Sequence, residues 1–319
     1  MDKILVTGGL GLIGHHVVHK LEQLNKDIVV IDTKTNYGII PKDEIEYLMV
    51  ERSKKIKSSI YDLDIRDNIE QLFEEHKFDS VIHLASFPRQ KVVNANPVWG
   101  SQVMSEGLLN LLENSKRFGV KKFVYISSSM VYGDFVDDVK EDYNCKPQGQ
   151  YGILKLAGEH LVKDYTRRGY FNHVIIRPSA VYGPLDVEDR VISKFMLTAM
   201  RGGTLRVNGA GETLDFTYVE DAADGIVKAT LSENTNNKTY NITKSHSRSL
   251  LDAANLAVNI VGKGNIEVKD RDLDFPSRGA LNIEAAKNDF GFDPKVDVEE
   301  GFQKYYDWLN TSEYWQKRL

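Results

Sequence analysis

Short β-branched runs recur along the first half of the chain: KILVT, DIVVID, IKSSIYDLD, DSVIHLA, KKFVYISS and NHVIIRPS, each followed by enough residues for a helix. Strands that alternate with helices run parallel, joined by right-handed crossovers, and a parallel sheet must be covered on both faces. The pattern therefore predicts a Rossmann-type, doubly wound α/β fold. Beyond Pro184 it changes, with a helix expected about Ile192 to Arg201, a glycine-bounded turn at Gly209 and Gly211, and more polar, mixed segments after it. Two units are expected. The first takes residues 1–178 with about 212–240, and a smaller C-terminal α/β region takes about 179–211 and 241–319, lying over the C-terminal edge of the sheet, where ligands of such folds bind.

A chain of 319 residues, 41% hydrophobic and 27% charged, has the material for such a core. Its net charge of −5 gives no reason to expect a nucleic-acid partner, and Lys54, Lys55 and Lys57 read as a solvated strand edge. No apolar run approaches the ~18 residues of a membrane span, and MDKILVTGG reads as a strand, not a signal peptide, so a cytoplasmic location is expected. Cys145 is the single cysteine, which excludes an intrachain disulfide and a thiolate metal cluster. His15, His16 and His19 have no acidic or cysteine ligand set beside them and read as solvated or phosphate-proximal; no metal is expected.

The first run ends at Thr7 and opens into Gly8, Gly9, Gly11 and Gly14, with an amphipathic helix starting near Leu12. Gly9-x-Gly11-x-x-Gly14 fits the dinucleotide fingerprint, in which a helix N-terminus meets the pyrophosphate, and Gly8-x-x-Gly11-x-x-Gly14 fits a wider form. Taken alone, the same glycines serve a plain strand-to-helix corner equally well. The second run closes on Asp32, an acid placed to accept from the adenosine ribose hydroxyls and to repel a 2′-phosphate. Thr33 follows it, not arginine, so the expected cofactor is NAD. Asp64 ends the third run, where its carboxylate can meet the adenine amino group or cap a helix starting near Arg66.

YISSSMVYG, from Tyr125 to Gly133, precedes QYGILKLAGEH, in which Tyr151 and Lys155 lie four apart on one helix face. A phenol with its pKa near ~10 is a poor base at neutral pH. An ammonium one turn away, with the positive nicotinamide of a cofactor, favours the phenolate, and a hydroxyl from the serine run can share the substrate oxygen. Tyr-x-x-x-Lys carries little by itself. Downstream of a glycine turn and a Ser-rich strand end, it is specific.

With these residues the chain resembles the extended short-chain dehydrogenase/reductase family, in its NAD-dependent nucleotide-sugar epimerase/dehydratase branch. The resemblance spans nearly the whole length: TGGLGLIG, DLDIRD, HLAS, SSSMVYG, YGILK, RPSAVYGP, LDFTYVEDAADGI and DFGFDPKVDVEEGF. It implies Ser128, Tyr151 and Lys155 as catalytic residues. It implies cofactor contacts at Gly8, Gly11, Leu12, Ile13, Gly14, Asp32, Asp64, Ile65, Leu84, Ala85, Ser86 and Arg177, as well as Tyr151 and Lys155, the lysine reaching the nicotinamide ribose. Ser127 and Ser129 are expected to be structural.

There are departures from the family pattern. Ser128-Ser129-Met130 stands where 4,6-dehydratases resemble Thr-Asp-Glu, so the acid-base pair for water elimination is missing. Leu214 stands where many members carry an arginine for the substrate diphosphate, Ala180 and Met104 where many carry asparagine. Arg278 and Arg190, together with Ser128, are the candidate substrate contacts; either arginine is equally readable as a surface residue. The expected function is an NAD-dependent nucleotide-sugar epimerase working through a keto sugar, with oxidation expected at C4. The alternatives are a 4-dehydrogenase or ketoreductase with net redox and, more remotely, a non-catalytic NAD-binding regulator. The resemblance also implies a homodimer through helices starting near Pro97 and Pro147, whose apolar residues can instead all serve the core of one chain.

Overall fold

The computed structural model describes residues 3–36, 40–87 and 89–319. Lys3–Thr7 (β1), Asp27–Asp32 (β2), Ser59–Asp62 (β3), Ser80–His83 (β4), Lys122–Ile126 (β5) and Asn172–Pro178 (β6) form one parallel sheet, each falling within an expected run. A seventh strand, Lys238–Ile242, pairs in parallel outside β6. Across the sheet the order is Lys238–Ile242, β6, β5, β4, β1, β2, β3, so the winding reverses between β1 and β4. At that reversal the crossovers leave in opposite directions and open a crevice beyond the strand ends.

Side chains alternate along each strand and separate into two layers. Ile4, Val6, Val30, Ile82, Val124 and Ile176 face a core closed by Leu12–Gln23 (α1) and the Val219–Leu231 helix. Leu5, Val29, Val81, Phe123 and Ile175 face the opposite core, which takes in Phe73, Leu108, Leu111 and Val162. A further core gathers Tyr182, Phe195, Met196, Phe216, Phe302, Tyr305 and Trp315. Beside it are short ladders: Thr204–Asn208 with Asn265–Lys269, Thr213–Asp215 with Ser247–Ser249, and Val181–Tyr182 with Thr217–Tyr218.

Lys42–Ser53 (α2) joins the sheet to this third core. Its buried positions are Glu44, Leu48 and Arg52, one face at four-residue spacing. Tyr47 stacks on Tyr314 with ring centroids 4.2 Å apart. Lys54, Lys55 and Lys57 are exposed as expected, but in the turn after α2 instead of on a strand edge. No helix among the described residues is long and apolar enough to cross a membrane.

Candidate active site

Beyond the C-terminal ends of the strands lies a cavity of about 860 Å³, within the range of small-molecule sites. One wall is the glycine turn. Gly8 has φ +71°, and a Cβ there would come within 2.6 Å of the Ala85 nitrogen; a Cβ on Gly14 would lie 2.2 Å from the Gly8 carbonyl oxygen. Only glycine permits either approach. α1 begins after Gly11 with no side-chain cap, which leaves its first-turn N–H groups and the positive end of its dipole to a ligand. This cradle, lined also by Leu12 and Ile13, fits a dinucleotide pyrophosphate.

Asp32 lines the same cavity and its oxygens accept from the N–H groups of Leu10, at 2.9 Å, and Lys34, at 3.0 Å. Burial pushes its carboxyl up, while those donors and nearby Arg52 pull it back. Each oxygen retains a lone pair, so the acid that braces the turn can also accept from a ribose. Leu84, Ala85 and Ser86 follow β4 on the cavity floor, with the Ala85 N–H donating to Thr7 Oγ1 at 3.2 Å. Asp64 and Ile65 line it further along. The Asp64 carboxylate grips Arg66, at 3.0 Å to Nε and 2.6 Å to Nη2, and also takes the Arg66 N–H at 2.8 Å. It caps a turn and not a helix, since the next helix starts at Glu70.

Ser128 leaves β5 buried, and Tyr151 and Lys155 descend towards it from the Gly149–Arg167 helix. Lys155 Nζ donates to the Ile126 carbonyl at 2.8 Å and lies 5.9 Å from the Tyr151 ring centre. Burial brings this ammonium down to about 7, against the upward pull of Glu159. Burial raises the Tyr151 phenol above its ordinary value, and Arg190 and the Ser128 hydroxyl draw it back. Arg190 is thus a second cation acting on the phenol, beside the Lys155 ammonium one turn along the helix. Ser127 donates to Glu159 Oε1 at 2.6 Å and Ser129 to Ser179 Oγ at 3.2 Å, both internal bonds.

On the far wall stand Arg190, Arg278, Leu214 and Ala180. Arg278 is half-buried, and its withdrawal from water lowers its guanidinium to about 10 against the upward pull of Glu212. It touches the Met130 sulfur at 3.6 Å, and its Nε has no hydrogen-bond partner. Such a cation is set for an anion from outside. Met104 sits within a short π-helical stretch, Gln102–Glu106, packed against Phe87 and Val93.

Arg177 does not reach this cavity. Its Nε and Nη2 donate to Glu159 at 2.9 and 2.7 Å, and Nη1 to the Tyr132 hydroxyl and the Glu141 carbonyl. The expected cofactor contact is thereby replaced by a buried brace between β6 and the Gly149–Arg167 helix. His15 and His16 are buried too, not solvated: burial, aided by each other's proximity and Arg52, lowers His15 to about 2 and keeps it neutral. The structure also brings Arg52, Arg89, Gln90 and Asp186 to the cavity, none of which the sequence singled out. Arg89 donates to Asp189 Oδ2 at 2.9 Å and Gln90 to the Asp274 carbonyl, so adjacent residues clasp two segments of the opposite wall.

The sequence profile of the NAD dependent epimerase/dehydratase family matches residues 4–243. UDP-glucuronic acid decarboxylase 6 of Arabidopsis thaliana is 33% identical over 94% of this chain and 86% of that protein. Among solved structures, the UDP-glucuronic acid 4-epimerase of Bacillus cereus, in complex with UDP-glucuronic acid and NAD, superposes with a TM-score of 0.88 at 27% identity, covering 97% of this chain and 99% of that one. The UDP-glucose 4-epimerase of Thermotoga maritima, with UDP-glucose, superposes at 0.86 and 28% identity, covering 97% and 98%.

Proposed function

This chain belongs to the NAD dependent epimerase/dehydratase family, and on that premise we propose that it epimerises a nucleotide-linked sugar with a retained NAD. The observation that carries the reading is the convergence of Ser128, Tyr151 and Lys155 with the glycine turn and Asp32 on one cavity. Gly8, Gly11 and Gly14 with the start of α1 would hold the pyrophosphate, and Asp32 the adenosine ribose, in preference to a 2′-phosphate. Bound there, NAD supplies reversible oxidation of a sugar carbon. Tyr151 takes the proton of the sugar hydroxyl, and Ser128 shares the same oxygen. Arg190 and Ser128 lower the cost of the phenolate, while Lys155, at about 7, changes charge near neutrality. Dehydration is disfavoured because Ser129 is tied to Ser179 and Met130 lies against Arg278, with no acid at either position.

The same reading assigns the cofactor to residues 1–178 with about 212–240, and the sugar nucleotide to about 179–211 and 241–319. Arg278 and Arg190 would hold the diphosphate or a charged sugar substituent. Two copies would meet through the helices that expose Val98, Leu109 and Ile153, forming a homodimer.

Substituting Tyr151→Phe tests the assignment directly. With UDP-glucose and UDP-glucuronic acid as first substrates, the variant should bind NADH as the wild type does, yet lose ~10²–10⁴-fold in turnover, the usual contribution of a general acid-base group. Near-normal turnover by Tyr151→Phe on a substrate that the wild type converts would overturn the mechanism.

A further inference from the structure

The glycine turn is held by more than its glycines. Leu10, inside it, donates its N–H to Asp32 Oδ2 at 2.9 Å, and its carbonyl accepts from Arg52 Nη1 at 3.0 Å. The other arm of that guanidinium, Nη2, donates to the Leu185 carbonyl at 2.6 Å. Leu185 is held at φ +68°, a left-handed conformation that costs a branched side chain energy unless the surroundings impose it. It opens the Leu185–Arg190 segment, which carries Asp186 and Arg190 into the cavity and leads to the Val191–Met200 helix of the third core. Arg52 is 4% exposed and its Nε has no hydrogen-bond partner, so two backbone carbonyls, one on each side of the cavity, orient the group.

A guanidinium is a rigid planar fork. When its arms hold two carbonyls in a buried setting, moving one carbonyl either breaks a charge-assisted bond or carries the other along. The two ends of the fork are not equivalent in what they touch. Leu10 lies between the glycines that would receive the dinucleotide, and Leu185 precedes the arginine that acts on the Tyr151 phenol. Glu44, on the same face of α2, pins this segment again by accepting the Glu188 N–H at 2.7 Å. The segment is thus fastened to α2 at two points, of which only Arg52 also reaches the glycine turn.

We propose that Arg52 is a positioning residue that couples the cofactor turn to the substrate-side segment, so that dinucleotide and nucleoside diphosphate each bind more tightly when the other is present. The proposal rests on the function proposed above, which supplies the two ligands. Linkage requires the two enhancements to be equal.

Cofactor-stripped protein titrated with NADH, by fluorescence, with and without saturating UDP tests it. In the wild type UDP should tighten NADH by about fivefold or more, within the usual range of coupling between sites. In Arg52→Met that ratio should fall to one. Arg52→Lys, which keeps the charge and loses the fork, should restore folding without restoring the full ratio. A wild type that binds both ligands with a ratio of one, or a ratio that survives in Arg52→Met, overturns the role of Arg52 alone; a wild type that binds neither ligand overturns it together with the proposed function. If Arg52→Met does not fold, amide exchange in the wild type replaces it: UDP by itself should slow exchange from Gly11 to His15, and no slowing there overturns the coupling.

Discussion

At the scale of single residues, the most informative group is one without a proper partner. Arg278 is a half-buried cation whose described side-chain hydrogen-bond partner is a thioether, with the Glu212 carboxylate acting on it only through space, and a charge so weakly held costs the ligand-free protein stability. Arg278→Ala should therefore weaken UDP binding by ~10–150-fold, the equivalent of the ~1.5–3 kcal/mol of a hydrogen bond to a charged group, while the ligand-free variant melts no lower than the wild type. Calorimetric titration and a thermal melt separate the two effects; unchanged UDP affinity would return Leu214 as a true loss of diphosphate grip. Ser128, Tyr151 and Lys155 were legible because their order along the chain is itself a pattern. Arg52 and Arg89 were not, since they span the cavity through contacts 133 and 100 positions apart, Arg52 to Leu185 and Arg89 to Asp189, which leave no spacing to read. Arg177 misled for the converse reason. An arginine at a strand end looks aimed at a ligand until Glu159, eighteen positions earlier, is seen to hold it.

Among the elements, the strand-turn-helix at the N-terminus has little tolerance. Gly14→Ala would set a methyl group 2.2 Å from the Gly8 oxygen, so the turn has to open. We expect a loss of about 1–3 kcal/mol in stability, as for other overpacked sites, together with loss of NADH binding; a variant with wild-type NADH affinity would show that the turn does not hold the cofactor. The six sheet strands and α1 follow from β-branched runs, glycines and apolar spacing. α2 does not, because two of its three buried residues, Glu44 and Arg52, are charged, and apolar periodicity is the signal by which a packed helix is recognised. The short ladders beside the third core are equally faint, their strands being as short as the two residues of Val181–Tyr182.

For the whole molecule, α2 is the joint between the sheet and the third core, and its buried charge makes stability depend on pH. Burial, with Glu188 and Asp186 nearby, raises the Glu44 carboxyl from 4.5 to about 7. Between those values the folded chain holds a proton that the unfolded chain has released, so this group's contribution to stability falls as pH rises through the window and stays low above it. Glu44→Gln keeps an acceptor for the Glu188 N–H and cannot ionise. Its melting temperature should match the wild type near pH 4.5 and exceed it increasingly up to pH 8; a gain that does not grow with pH would mean that Glu44 is not the group responsible. The seventh strand, Lys238–Ile242, bears on the molecule in another way. A ribosome finishes β6 at Pro178 and then makes about sixty more residues before the partner of its outer edge exists, roughly 3–12 s of synthesis at ~5–20 residues per second. Once β6 has left the ribosome, Val174, Ile175 and Ile176 stand for an interval of that length on an open edge, a template for pairing with any other nascent chain. The speed of translation across the third core's first half thus becomes a determinant of how much of the protein survives its own birth.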